Sequence, residues 1–214
     1  MVFTLFLLPL CCSLIGAESI ETINKKFHPL SGISAQGEGS ITITVDPLAE
    51  GTTVVARYLQ EYADSITITH RDGDIVLSVK SPKKKKKNFF VEFAITIPEL
   101  KDIDFSGSVT AEVASLGAAR SLDVALSGSC TLRIDSGSVD RLDIEIKGNS
   151  FADLKGLVAR KADVDIRGNS SLECTVTERI VGDVRGNSRI ENHGTASFDE
   201  VDSSGNCELI YRAQ

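Results

Sequence analysis

Tryptophan is missing from all 214 residues, and methionine occurs once, at position 1. Without Trp the chain lacks the broad aromatic surface that sugar-cleaving enzymes stack against a ring. Sequence signatures of catalysis are missing too: there is no nucleophile elbow, P-loop, dinucleotide fingerprint or HExxH pair. His28, His70 and His193 fall on separate segments with no Cys, Asp or Glu at ligand spacing, which reads as three surface histidines. Basic charge is in deficit, with 23 Lys and Arg against 30 Asp and Glu, a net charge of −7. That balance excludes sequence-independent nucleic-acid binding, which needs a basic face to displace counterions from phosphates. No cofactor is implied. What remains is ordinary globular composition, 42% apolar and 25% charged, enough for one or two domains.

Charge is absent from one particular stretch. Residues 1–17, MVFTLFLLPLCCSLIGA, contain no Lys, Arg, Asp or Glu, and the first charge is Glu18. An apolar run that ends in Gly16-Ala17 reads as a secretory signal peptide cleaved near Ala17, although its n-region has only the terminal amine as a positive charge. A retained membrane anchor would need about 20 apolar residues. Leu10 and Cys11 stand where a lipobox wants small residues, so Cys11 and Cys12 do not read as a lipid site. The expectation is an exported protein, periplasmic, surface-held or secreted, that touches membrane only through this segment. Cys130, Cys174 and Cys207 are then left. An odd count without a CxxC pair is neither a disulfide framework nor a zinc site.

Against this stands one strong positive signal. IKGNSFADL, IRGNSSLEC and VRGNSRIEN rewrite the same turn, and alignment on its glycine finds six copies, at Gly107, Gly128, Gly148, Gly168, Gly186 and Gly205. The steps are 21, 20, 20, 18 and 19 residues. Apolar residues alternate before each turn (Leu142, Ile144, Ile146) and after it (Cys130, Leu132, Ile134), the period of strands with one buried face. Two strands and a connector in about 20 residues leave no room for a crossover helix or a propeller blade. The pattern predicts an all-β fold, a single-chain parallel β-helix with about 20 residues per coil, each stacked about 4.8 Å above the last. The connectors 114–121, 135–141, 155–161, 175–179 and 193–198 supply a third, looser side, with Leu116, Val139, Val158, Val176 and Phe198 facing in. In this reading Gly148, Gly168, Gly186 and Gly205 make sharp corners, and Asn149, Asn169, Asn187 and Asn206 stack as an amide ladder. Cys130 and Cys207 share one inward column four coils apart, roughly 19 Å at the coil spacing, so three buried free thiols are expected.

Residues 18–29 read as a linker, and 30–100 as antiparallel strands that lead into the coils of 101–212 and cover one end of their core. Arg71-Asp72-Gly73 marks a hairpin inside DSITITHRDGDIVLSVKS. Tyr58 and Tyr62 fall on one face of a short helical turn in VARYLQEYAD and read as packing. Lys83, Lys84, Lys85, Lys86 and Lys87 form a run between two strands. The simple reading is a solvated hairpin loop; the sharper one is a cationic finger for anionic lipid or polysaccharide, with Phe89 and Phe90 beside it.

FHPLSGISAQGEGSITITV, DGDIVLSV and FAITIPELKDIDFSGSVTAEV, followed by the serial LDVALSGS, LDIEIKGNS and ADVDIRGNS, resemble the autotransporter-adhesin head GIN domain family of bacterial exported proteins. The resemblance covers roughly residues 28–212, with Gly-Asn-Ser where the family usually has Ser-Gly-Ser-Gly corners. It implies an exported β-solenoid with a role in adhesion, and it brings no catalytic residues.

One further pattern concerns the outward positions before the corners: Asp102/Asp104, Asp123/Ala125, Asp143/Glu145, Asp163/Asp165, Val181/Asp183 and Glu200/Asp202. In-register coils stack these carboxylates in two columns at strand spacing, which costs Coulomb energy unless cations intervene. Lys147, Arg167 and Arg185 form the neighbouring column and would relieve it. Asp143, Glu145, Asp163, Asp165 and Asp183 are accordingly candidate Ca²⁺ ligands. Two functions follow: a non-catalytic structural or adhesive module contacting cell-surface polysaccharide or protein, and a carbohydrate-active β-helix enzyme with a Ca²⁺-dependent acidic face. The latter would need long loops walling one side, whereas the connectors are five to eight residues long. Self-association is permitted by either.

Overall fold

The computed structural model describes residues 19–80 and 90–212. The proposed signal segment with Cys11 and Cys12, and the run Lys83–Lys87 with Phe89, lie outside the described residues. The expected parallel β-solenoid is present. From β7 (Asp102–Val113) onward the chain winds through β8 (Ala118–Gly128), β9 (Thr131–Ile134), β10 (Gly137–Gly148), β11 (Phe151–Gly168), β12 (Ser171–Gly186), β13 (Arg189–Asn192), β14 (Glu200–Gly205) and β15 (Glu208–Tyr211). Each turn has a face A before the glycine corner, a face B after it, and a connector. On face A the register runs Gly107↔Gly128↔Gly148↔Gly168↔Gly186↔Gly205, all parallel. Every apolar residue assigned inward between Ile103 and Ile190 is buried except Val158 on the third side.

The corner repeats because three constraints meet there. Each glycine has φ between +93° and +108°, a region that L side chains disfavour. A Cβ on Gly168 would also lie 2.4 Å from the carbonyl oxygen of Gly148 in the coil below. The following amide uses that same oxygen: Asn169 N–H donates to Gly148 O at 2.8 Å, and Asn149 to Gly128 O at 2.7 Å. Finally the Ser turns inward and satisfies corner carbonyls. Ser188 Oγ donates to Arg185 O at 3.1 Å and Gly168 O at 3.3 Å, and Cys130 and Cys207 use their thiols in the same way. Two links of the amide ladder are made, Asn169 Nδ2 to Asn149 Oδ1 (3.2 Å) and Asn206 Nδ2 to Asn187 Oδ1 (2.7 Å).

Several expectations change in the first hundred residues. The linker is in fact β1 (Ile20–Phe27), antiparallel to β3 (Thr52–Leu59). β2 (Gly32–Val45) was expected in an antiparallel lead-in. Instead it runs parallel to β7 over Gly32–Ile43, with Gly37 (φ +115°) over Gly107, and is a full turn of the solenoid. β5 (Asp74–Val79) and β6 (Val91–Ile97) flank the lysine run but do not pair with each other. Both lie parallel to β2, on its face A and face B halves, so these two strands belong to two faces of one parallel turn and not to a hairpin. The antiparallel strands lie outside these: β4 (Ile66–Arg71) on β5, and β3 on β6. The hairpin at Asp72 (φ +53°) and Gly73 (φ +98°) joins β4 to β5 as predicted. The chain thus inserts its cap between its first and second glycine-cornered turns, which period counting on adjacent sequence cannot detect. Tyr58 sits on β3 and Tyr62 in a short 3-10 helix (Gln60–Ser65); both are buried in the cap.

The third side is more regular than expected, since β10, β11 and β12 run through their connectors. Leu157 takes the inward place assigned to Val158, which is 43% exposed. Asn192, fully buried at an inward position, replaces apolar packing by bonds to Val176 N (2.8 Å), Val176 O (3.2 Å), Ala196 O (2.7 Å) and Gly194 N (3.0 Å), which pins the last connector.

Candidate functional site

Face A puts its outward side chains in columns because parallel in-register strands stack equivalent residues. The first carboxylate column is Asp102↔Asp123↔Asp143↔Asp163, ending at Val181 and Glu200. The second runs from Asp104 through Ala125, Glu145, Asp165 and Asp183 to Asp202. Lys147, Arg167 and Arg185 stack on the corner side as expected. A second basic column, Arg141↔Lys161↔Arg179, flanks the acids on the connector side. This one was missed, because it lies where the period-two alternation breaks at the connector.

Most of the Ca²⁺ candidates already have a base within their own turn. Asp143 takes Arg141 through both oxygens at 3.0 Å, Asp165 takes Arg167 at 2.7 Å, Asp183 takes Arg185 at 3.0 Å, and Glu145 takes Lys147. Asp163 lies among them in the first column without an ion pair among the described residues. Further towards the N-terminal cap, Asp102, Asp123 and Asp74 also make no ion pair among the described residues, although the charges of Arg141 and Arg71 partly offset the crowding at Asp123 and Asp74. Gly32 explains how Asp74 joins them: a Cβ there would lie 1.9 Å from Asp74 Oδ1, so the bare glycine makes the room its carboxylate fills. The carboxyl of Asp102 is held above its ordinary range by partial burial and by the charges of Asp74, Asp123 and Asp104. Asp123 is raised by burial and by the charge and hydrogen bond of Asp143, and Asp74 by burial and by Asp72 and Asp104. Among the described residues, no group of three or more His, Cys, Asp or Glu is placed to hold a metal ion.

Two shallow, open grooves result. One of about 300 Å³ is lined by Asp102, Asp123, Asp143, Glu145, Asp163 and Asp165, with Arg141 at its edge. The other, about 460 Å³, is lined by Arg120, Ser121, Asp140, Arg141, Arg160 and Lys161. Arg160 spans three turns, bonding Asp140 at 3.3 Å and Glu178 at 2.8 Å. Opposite charges therefore adjoin where face A meets the connectors, with Arg141 shared between the grooves. The predicted corner residues take no part: Gly148, Gly168, Gly186 and Gly205 with their asparagines form the edge between faces A and B.

A capped single-chain parallel β-solenoid with a charge-laddered face is the class that the fold defines. Its family is shown by comparison: the family described as "Putative auto-transporter adhesin, head GIN domain" matches residues 30–196, and the chain belongs to it. A crystal structure of an adhesin, so described with the qualifier "putative", from Bacteroides fragilis superposes with a TM-score of 0.69 at 20% identity, covering 91% of this chain and 98% of that one. A second, of the same description from Parabacteroides distasonis, gives 0.51 at 14% identity, covering 92% and 98%. At these identities the likeness shows the fold. A search of curated proteins found no match. The family description points to an exported or surface protein.

Proposed function

We propose that this chain is a non-catalytic, exported adhesive module that contacts a charged cell-surface polysaccharide or protein through face A. The observation that carries the reading is the array itself. Acidic and basic side chains repeat at coil spacing on a flat, open surface, with no walls of long loop among the described residues. Each exposed charge pair contributes about 1 kcal/mol or less, so a single small ligand gains little there. A polymer with repeating charges engages several turns at once, and linked weak contacts multiply. The acidic groove accepts cationic groups and the basic groove anionic ones.

The test is glycan-array and whole-cell binding by the purified protein, beside Asp102→Asn/Asp123→Asn and Arg120→Glu/Lys161→Glu variants, with and without chelator. Binding that weakens several-fold in either variant, more so at higher salt, supports the proposal. Full binding by both variants removes face A from it. Release of shortened or unsaturated sugars from a bound glycan would make the protein an enzyme.

A further inference from the structure

The two ends of the solenoid are finished differently. At the N-terminal end the core lies under β1, β3 and β4, and the outermost strand β1 shows Lys25 and Lys26, charges that blunt a strand edge. At the other end β14 and β15 form the last turn, and among the described residues neither has a partner on its outer side. β14 is blunted by Glu200, Asp202, Ser203 and Ser204. β15 is not: Leu209 and Ile210 are half-buried, Tyr211 is 48% exposed, and Glu208 and Arg212 close the strand with opposite charges. Those charges are exposed and held within the chain by Arg189 and Glu191, both at 2.9 Å, so pairing with a second copy extends these ion pairs.

The backbone of β15 selects its partner. Glu208 N–H and Arg212 N–H donate to Ser188 O and Asn192 O of β13, both at 2.9 Å. Strand alternation then turns the N–H and C=O of Leu209 and Tyr211 to the free edge. In antiparallel pairing, residues that face each other at a narrow position exchange both hydrogen bonds. A second β15 centred on Ile210 sets Leu209 opposite the Tyr211 of the other copy, so all four outward pairs of groups are used. The same register sets Glu208 against the other copy's Arg212, twice. It keeps Leu209 and Tyr211, whose register partners Ile190 and Asn192 are buried, on the core side. Hydrogen bonding, charge and side-chain alternation thus agree on one register, and that register is symmetric.

We propose that the protein self-associates tail to tail, through antiparallel pairing of β15 with β15 of a second copy about a two-fold axis at Ile210. The contact is isologous and closes at two. It is short, so the dimer is weak, with a dissociation constant on the order of micromolar or higher. It stands apart from the adhesive reading, although two face A surfaces on one particle would bind a polymeric target with avidity.

Sedimentation equilibrium of the purified protein over a wide concentration range tests it, and a rise in mean mass from one chain towards two is expected. Tyr211→Pro removes an outward N–H that the fold does not use, and should weaken the dimer at least tenfold with little change in melting temperature. Glu208→Lys and Arg212→Glu should each be monomeric alone, since each sets like charges together twice. Mixed in equal amounts they should restore a dimer, because the mixed pair recovers both opposite-charge contacts. This readout holds even if the proline variant misfolds. A wild type that stays monomeric throughout, particles larger than two chains, or variants that fail to dimerise on mixing would overturn the proposal.

Discussion

Replacing Gly168 by Ala separates two costs that the corner combines. Its φ of +108° lies where an L residue is strained by about 1–3 kcal/mol. Its Cβ would also sit 2.4 Å from Gly148 O, about 1 Å inside ordinary contact. Relief requires that neighbouring turns move apart just where Asn169 N–H bonds that oxygen at 2.8 Å. The bond lies on the exposed corner, so its loss costs about 0.5–1.5 kcal/mol. Together the substitution should cost about 1.5–4.5 kcal/mol, a fall in melting temperature of roughly 3–18 °C for a chain this size. The structure supplies both controls. Gly73 has φ +98° with nothing within 4 Å of an added Cβ, so Gly73→Ala carries strain alone. Gly194, whose φ is outside the left-handed region, would bring a Cβ to 2.0 Å from Val176 O and carries the clash alone. Thermal melting by circular dichroism of the three variants should rank Gly73→Ala as the mildest. If Gly168→Ala melts no lower than Gly73→Ala, the close approach between turns contributes nothing and the explanation of the repeated glycine fails.

Two further outcomes follow from face A and the thiols. Asp102 and Asp123 have carboxyls held above the ordinary range, so their charged forms oppose folding at neutral pH, and that penalty disappears once pH falls below the ordinary carboxylate range. Asp102→Asn with Asp123→Asn should therefore raise the melting temperature by a few degrees at pH 7, with the gain shrinking towards pH 3. The wild type should gain from NaCl and the double variant should gain less, while Ca²⁺ at matched ionic strength separates screening from binding; a double variant less stable than wild type at pH 7 would refute the repulsion. Cys130, Cys174 and Cys207 are free, and burial pushes the Cys174 thiol up to about 12 and raises that of Cys130. In protein prepared without residues 1–17, and so without Cys11 and Cys12, thiol reagent should find three thiols in denaturant, while in the native state only Cys207 on the half-exposed last turn should react; this corrects the expectation that all three are buried. Fewer than three in denaturant would break the coil register.

The repeat was legible because its causes are local or recur in the chain. A corner that only glycine can occupy and period-two burial leave a mark at every turn, and an inward Ser that satisfies the corner carbonyl marks those at Ser150, Ser170 and Ser188. Stacking then follows, since any solenoid with in-register turns superposes equivalent residues, and so the acidic columns could be placed before any coordinates. What neighbours across turns do to one another was not legible. That Asp143 is held by Arg141 within its own turn while Asp102 is not depends on where a connector ends and a strand resumes. Asp74 joins the column from 28 residues before Asp102 only because the cap is inserted after β2 and the chain returns beneath Gly32. Parallel pairing of β2 with β7 spans 70 residues at each partner, as Gly37 with Gly107, and no local preference encodes a contact over that separation. Amino-acid order therefore determined the turn, its period and its inward face. Tertiary structure alone decided which strands cap the first turns and which carboxylates meet a base within their own turn, because each depends on what another part of the chain brings alongside.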